Sequence, residues 1–175
     1  MKVNGGALKK FEADASESVL QKLLHSFERY YNVKESGVVA PFSAEAEFHS
    51  HSEQYFFVKA AHVANIDSHE YVFFAEVDVL DEALFEQLAV LAWEEGLSRI
   101  HPYYGHRNSD VTLIILADKI SDSAFRFIKK EKKSKSYKFS IYGWSNFRAL
   151  AYETSTGRTV TNRHGNVLKK LVSSL

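Results

Sequence analysis

Two short apolar runs, at residues 71–77 and 111–116, limit the fold more than any other part of this 175-residue chain. Each is nearly unbroken, so it shows neither the alternation of a half-exposed strand nor the 3.6-residue period of a surface helix. A run of this length and character reads as a strand covered on both faces, and therefore as the centre of a sheet rather than its edge. Ser68, His69 and Glu70 make a polar turn before the first run, and Asp118 ends the second. Whatever else the chain does, it has to supply layers that cover these strands.

The amphipathic segments supply those layers. Val19, Leu20, Leu23, Leu24, Phe27, Tyr30 and Tyr31 recur at helical spacing, with Asp14 or Ser16 as cap and Glu17 three residues after Asp14. Leu84, Leu88, Leu91 and Ala92, flanked by Phe85 and Trp93, predict a second helix from Asp78 or Asp81 to a stop at Gly96. Ser121 or Ser123 caps a short helix carrying Phe125 and Ile128, and Val167, Leu168, Leu171 and Val172 predict a last helix capped by Asn166. Between them, residues 45–64 alternate as one long strand or a bent pair, and residues 33–43 read as a connection. Residues 137–142 and 145–154 read as strands joined around Gly143, and residues 155–158 as a hairpin turn into a strand at 159–161. The expectation is a single α+β domain over residues 1–175, a mixed β-sheet with helices packed on it, with residues 1–12 a flexible N-terminal segment. At this length a domain buries roughly 70% of the surface its unfolded chain exposes, which suffices for a core.

Composition removes several function classes. Without cysteine the chain has no disulfides, thiolate metal sites or cysteine nucleophile. No stretch approaches the ~20 apolar residues of a membrane span, and the N-terminus has no apolar leader core, so the expectation is a cytoplasmic protein with no membrane partner.

The formal charge is zero only because two parts cancel. Residues 1–118 hold 9 of the 22 Lys and Arg but 19 of the 22 Asp and Glu, whereas residues 119–175 hold the other 13 basic groups against Asp122, Glu131 and Glu153. This asymmetry favours an anionic partner for the last third, nucleic acid or another polyanion, with Lys129, Lys130, Lys132, Lys133, Lys135, Arg158 and Arg163 as the anion-binding candidates. The lysine run is followed by Tyr137, Phe139, Tyr142, Trp144 and Phe147, a mixture that suits phosphate contact beside base stacking. Residues 135–142 match the basic and aromatic positions of the RNP1 motif but have Ser136 in place of its glycine and Lys138 in place of its small residue. The competing reading puts Tyr137, Phe139 and Ile141 on one strand face claimed by the core. A third possibility is a homo-oligomer in which the acidic part of one copy meets the basic part of the next.

Two sets of residues suggest chemistry. His49, His51 and Glu53, with Glu47, occupy alternating positions that share one face of a strand, a donor set for a divalent metal and hence for a metal-dependent hydrolase; the plain alternative is a polar, solvent-facing strand side. Residues 101–110 read as a polar loop rich in His, Tyr, Arg and Asp, and His106, Asp110 and Asp118 are the catalytic candidates at the ends of the second buried strand. The order helix, three strands, helix, strand over about residues 15–118 resembles the core of PD-(D/E)xK nucleases. Asp67 could imitate their aspartate, but Glu76-Val77-Asp78 lacks the lysine such a site needs.

Residues 135–148, with Ser155-Thr156-Gly157-Arg158 and Thr161-Asn162-Arg163-His164-Gly165, also resemble a family of uncharacterised bacterial proteins, over about residues 48–171. The resemblance implies a bacterial cytosolic domain and brings no activity, cofactor or site residue with it.

Overall fold

The computed structural model describes residues 17–49, 67–104 and 106–173. Within them the strands are β1 (Asn32–Lys34), β2 (Ala44–His49), β3 (Asp67–Leu80), β4 (His106–Ile120), β5 (Ser134–Ser136), β6 (Trp144–Glu153) and β7 (Thr159–Thr161). They form one mixed sheet in the order β1-β2-β3-β4-β6-β5, with β7 also pairing β6. The two apolar runs lie in β3 and β4, side by side at its centre. β1, β2 and β3 are antiparallel neighbours, while β3–β4 and β4–β6 are parallel.

Parallel neighbours need crossovers, and these are α2 (Glu82–Arg99) and α3 (Asp122–Lys130). Both pack on one face, where Phe73, Leu113, Ile115, Phe147 and Ala149 meet Phe85, Leu88, Ala92, Ala124 and Ile128. The other face carries α1 (Val19–Glu28) and, at the C-terminus, a short 3-10 turn (His164–Leu168) leading into α4 (Lys169–Val172). There Leu20, Leu23, Leu24, Phe27, Leu168 and Val172 cover Val72, Phe74, Ile114, Leu116 and Leu150. Successive residues of β3 and β4 thus enter two different cores, which is why their sequences show no alternation. The predicted α+β class with a mixed sheet holds, and no helix among the described residues is long and apolar enough to cross a membrane.

Several boundaries differ from the sequence reading. The α1 cap is Ser18, whose Oγ accepts from the Gln21 N–H at 3.1 Å; Asp14, Ser16 and the proposed mobile segment 1–12 lie outside the described residues. α2 begins after its Asp81 cap but runs through Gly96 to Arg99. Gly96 is not a stop signal: a Cβ there would lie 2.5 Å from Val111 Cγ2, so the glycine allows the helix to approach β4 closely. Val33 and Lys34, read as part of the connection at 33–43, belong to β1, and residues 106–110, read as loop, are the start of β4. The C-terminal helix does not begin at an Asn166 cap; Asn166 Oδ1 accepts from Thr161 Oγ1 instead. The expected strand at 45–64 is β2 as far as His49, and its remainder lies outside the described residues.

The largest departure is at residues 137–142, which form a turn and not a strand. Lys138, Phe139 and Ser140 have φ of 48°, 53° and 69°, three successive non-glycine residues in left-handed conformation. Tyr137 stays packed against the core and hydrogen bonds Ser145, but Phe139 and Ile141, expected inside, are 100% and 64% exposed.

Candidate functional site

The left-handed turn projects from the amino-terminal end of the parallel strands. Its base is clamped: the Tyr137 N–H donates to the Gly143 carbonyl at 3.0 Å, and the Ser136 and Ser140 hydroxyls lie 2.8 Å apart. Gly143, with φ of 81°, lies so close to β4 that a Cβ would come within 2.0 Å of the Arg107 carbonyl oxygen. His106 adds a further tie, its Nδ1 donating to the Tyr142 carbonyl at 2.8 Å. That bond leaves Nε2 to accept the Ser109 hydroxyl, also at 2.8 Å. His106 and Ser109 are therefore a bonded pair, but Ser109 is fully buried, so the pair holds the turn rather than presenting a nucleophile.

Between the turn and the start of β4 runs an open groove of about 470 Å³, lined by Tyr104, His106, Arg107, Ser140, Ile141, Gly143 and Trp144. Its rim is apolar and exposed, with Tyr104 at 84% and Trp144 at 44%. α3 runs antiparallel to the strands, so its C-terminus delivers the lysine run to this same end. Lys129, Lys130, Lys132, Lys135, Lys138 and Arg107 are all exposed, and none has a carboxylate within 4.0 Å among the described residues. Lys135 lies over the Tyr137 ring and Lys129 over the Phe125 ring. Arg163 is also exposed, and the preceding Asn162 donates to the Glu131 carbonyl, so Arg163 follows directly beside the run.

The remaining basic candidates are placed differently. Lys133 is paired with Glu131. Arg158 lies at the opposite, carboxyl-terminal end of the sheet, paired with Glu153 at 3.1 Å and Asp122 at 3.4 Å and donating to the Ile120 carbonyl. Arg148 points to the α1 face, where it bridges Glu70 at 3.2 Å and Asp110 at 2.5 Å. The cationic residues of the last third thus gather at one end only in part.

Around Arg148 is a half-closed ionic cluster. Glu70 and Asp110 are register partners on β3 and β4. Glu70 also accepts from the Tyr31 and Thr112 hydroxyls, each at 2.6 Å, and Asp110 accepts from Asn108 and Asn146. Burial pushes the Asp110 carboxyl above its usual value, against the pull of Arg148 and with the push of Glu70. Burial and the adjacent Glu70 charge likewise raise the Tyr31 phenol. With both carboxylates occupied by donors, the cluster ties Tyr31, in the turn after α1, to β3, β4 and β6, and Asp110, a catalytic candidate from sequence, is part of that tie.

Asp118, the third catalytic candidate, accepts from Thr154 Oγ1 at 2.9 Å and anchors the hairpin after β6. A second cleft, of about 570 Å³, lies at the carboxyl ends of β4 and β6, lined by Lys119, Asp122, Glu153 and Arg158 among others but not by Asp118. Ligands often bind at that end of parallel sheets, but where crossovers diverge to opposite faces. Here α2 and α3 share a face, and Glu153, held below the usual carboxylate range by hydrogen bonds from Thr156 and the Ile120 N–H, engages Arg158. Of the proposed metal donors, His49 ends β2, while His51 and Glu53 lie outside the described residues. Among the described residues no group of three His, Asp or Glu is placed to hold a metal ion. The described elements run in the order α1, β1, β2, β3, α2, β4, and Glu76 and Asp78 are exposed near the far end of β3 with no Glu-x-Lys beside them among the described residues.

Sequence reasoning singled out the lysines and the neighbouring aromatics but missed Tyr104 and Arg107 as their companions. The signal was present in the tyrosine pair before Gly105, yet only the sheet brings Tyr104, His106 and Arg107 beside Ser140, Ile141, Gly143 and Trp144. In comparisons with known proteins, one family model, described as a domain of unknown function (DUF8052), matches residues 15–174. No curated protein and no solved structure gives a significant match.

Proposed function

This chain belongs to the DUF8052 family, and for a domain with no assigned activity we propose a function from geometry: binding of a polyanion, foremost nucleic acid, at the amino-terminal end of its parallel strands. One observation carries the reading. Among the described residues, Lys129, Lys130, Lys132, Lys135, Lys138 and Arg107 are exposed at one end with no carboxylate within 4.0 Å, while Arg99, Lys133, Arg148 and Arg158 are neutralised by acidic neighbours. Cations left unpaired side by side repel one another, and a chain of phosphates relieves that repulsion while releasing its own counterions.

Fluorescence anisotropy of a labelled oligonucleotide, measured at 50 and 200 mM salt, tests this. Five phosphate contacts to a single strand weaken binding by about a hundredfold over that range. Lys132→Gln, Lys135→Gln and Lys138→Gln combined should lower affinity and flatten the salt slope, whereas Arg158→Gln, at the other end, should leave both unchanged. Affinity that is indifferent to salt, or equal for the triple variant and the parent, contradicts the proposal.

A further inference from the structure

We infer that the nucleic acid is single-stranded, its unpaired bases stacking on Phe139, Trp144 and Tyr104 while Lys135, Lys138 and Arg107 take the phosphates; this rests on the polyanion reading above and gives it a substrate class. Three observations meet here. The first is the turn itself. Each non-glycine residue in left-handed conformation costs about 1 kcal/mol or more, and Lys138, Phe139 and Ser140 adopt it in succession. The fold obtains no packing in return, because the ring at the apex is entirely exposed. Backbone strain held by clamps at its base and returning nothing to the core marks a segment shaped for something outside the fold.

The second observation is the groove. The exposed Tyr104 and Trp144 line it together with the buried His106, so flat apolar surfaces border an open concavity. The third is charge. Arg107 lines the groove, Lys138 belongs to the turn and Lys135 lies over the Tyr137 ring at its base, and among the described residues none of the three has a carboxylate within 4.0 Å. A purely apolar partner would leave the cations unmatched, and a duplex would offer them phosphates while keeping its base faces stacked on one another. Of these partners, an unpaired strand is the one that presents π-faces and phosphates together, and aromatic stacking accepts any base. The site is thus expected to show little sequence preference.

The test compares a single strand with a duplex of the same sequence and length at low salt, using the full chain and Phe139→Gly, Trp144→Phe and Tyr104→Ala. Glycine at 139 removes the ring at a position whose backbone it tolerates better than phenylalanine, so this variant is expected to melt no lower than the parent. The single strand should bind at least tenfold tighter than the duplex. Phe139→Gly and Tyr104→Ala should each weaken the single strand roughly tenfold without changing the duplex. Trp144 is one of only two tryptophans, so stacking should quench its emission, and the quench should be lost in Trp144→Phe. Equal affinity for the two forms, insensitive to the aromatic variants, overturns this inference and leaves polyanion binding standing. Binding of neither form overturns both, and a concentration-dependent dimer abolished by Phe139→Gly assigns the aromatic surface to a second copy of the chain and overturns the stacking role.

Discussion

Arg148 carries the same formal charge as Lys132 and Lys135 but directs it inward, onto Glu70 and Asp110. Removing one partner of such a pair leaves the other charges buried and uncompensated, which costs about 3–5 kcal/mol. Arg148→Ala should therefore lower the unfolding free energy measured by urea titration by that amount while leaving the oligonucleotide affinity of the folded fraction unchanged. An affinity loss with stability intact would place Arg148 in the binding surface. Glu153 gives a pH signature. Its carboxyl is held below the usual range in the fold, so the stability it adds is complete above the unfolded value of about 4.3 and is lost as pH falls through the lower folded value. Urea titrations at successive pH values below about 4.3 should show a shallower acid loss for Glu153→Gln than for the parent. Asp110 has the opposite sign: its raised carboxyl makes the ionised form the costly one, so acid relieves the fold at that residue. None of this was visible in the sequence. Lysines in a run show themselves as a run, but whether an arginine is consumed depends on carboxylates as distant as Glu70, which lies 78 residues from Arg148.

Gly96 ties a helix to a strand at the level of elements. The 2.5 Å clash of an added Cβ with Val111 forces α2 away from β4, and overpacking of this kind costs about 1–3 kcal/mol. Gly96→Ala should lower the melting temperature accordingly, despite alanine's better helix propensity; an unchanged or raised value would mean that α2 yields without cost. The same residue shows where local reading ends. A glycine late in a helical pattern looks like a stop, and only the facing strand reveals it as a contact. β3, β4, the crossover helices and the 155–158 hairpin were legible because their signals are local: apolar runs, caps and a turn sequence. Residues 137–142 were not, because alternating Tyr137, Phe139 and Ile141 imitate a half-buried strand. The clamps that bend them into a left-handed turn, Gly143 against Arg107 and His106 against Tyr142, come from elsewhere in the chain.

For the whole molecule, the linear charge asymmetry becomes a polarity along the strands. The amino-terminal end gathers Arg107 and the exposed lysines of residues 129–138, whereas the carboxyl-terminal end exposes Asp78, Asp81, Glu82, Asp118 and Asp122. α3 makes this so: its capped N-terminus lies with Asp122 at one end and its C-terminus releases Lys129 and Lys130 at the other, each charge matched to the helix dipole. Such a field orients an approaching polyanion before contact and keeps it from the acidic end. The central claim is therefore about place, and amide chemical-shift mapping with a short single-stranded oligonucleotide tests it most directly. Shifts confined to residues 103–107 and 129–144 are the predicted result; shifts centred on Lys119, Ser121 and Arg158, or none at saturating oligonucleotide, would contradict it.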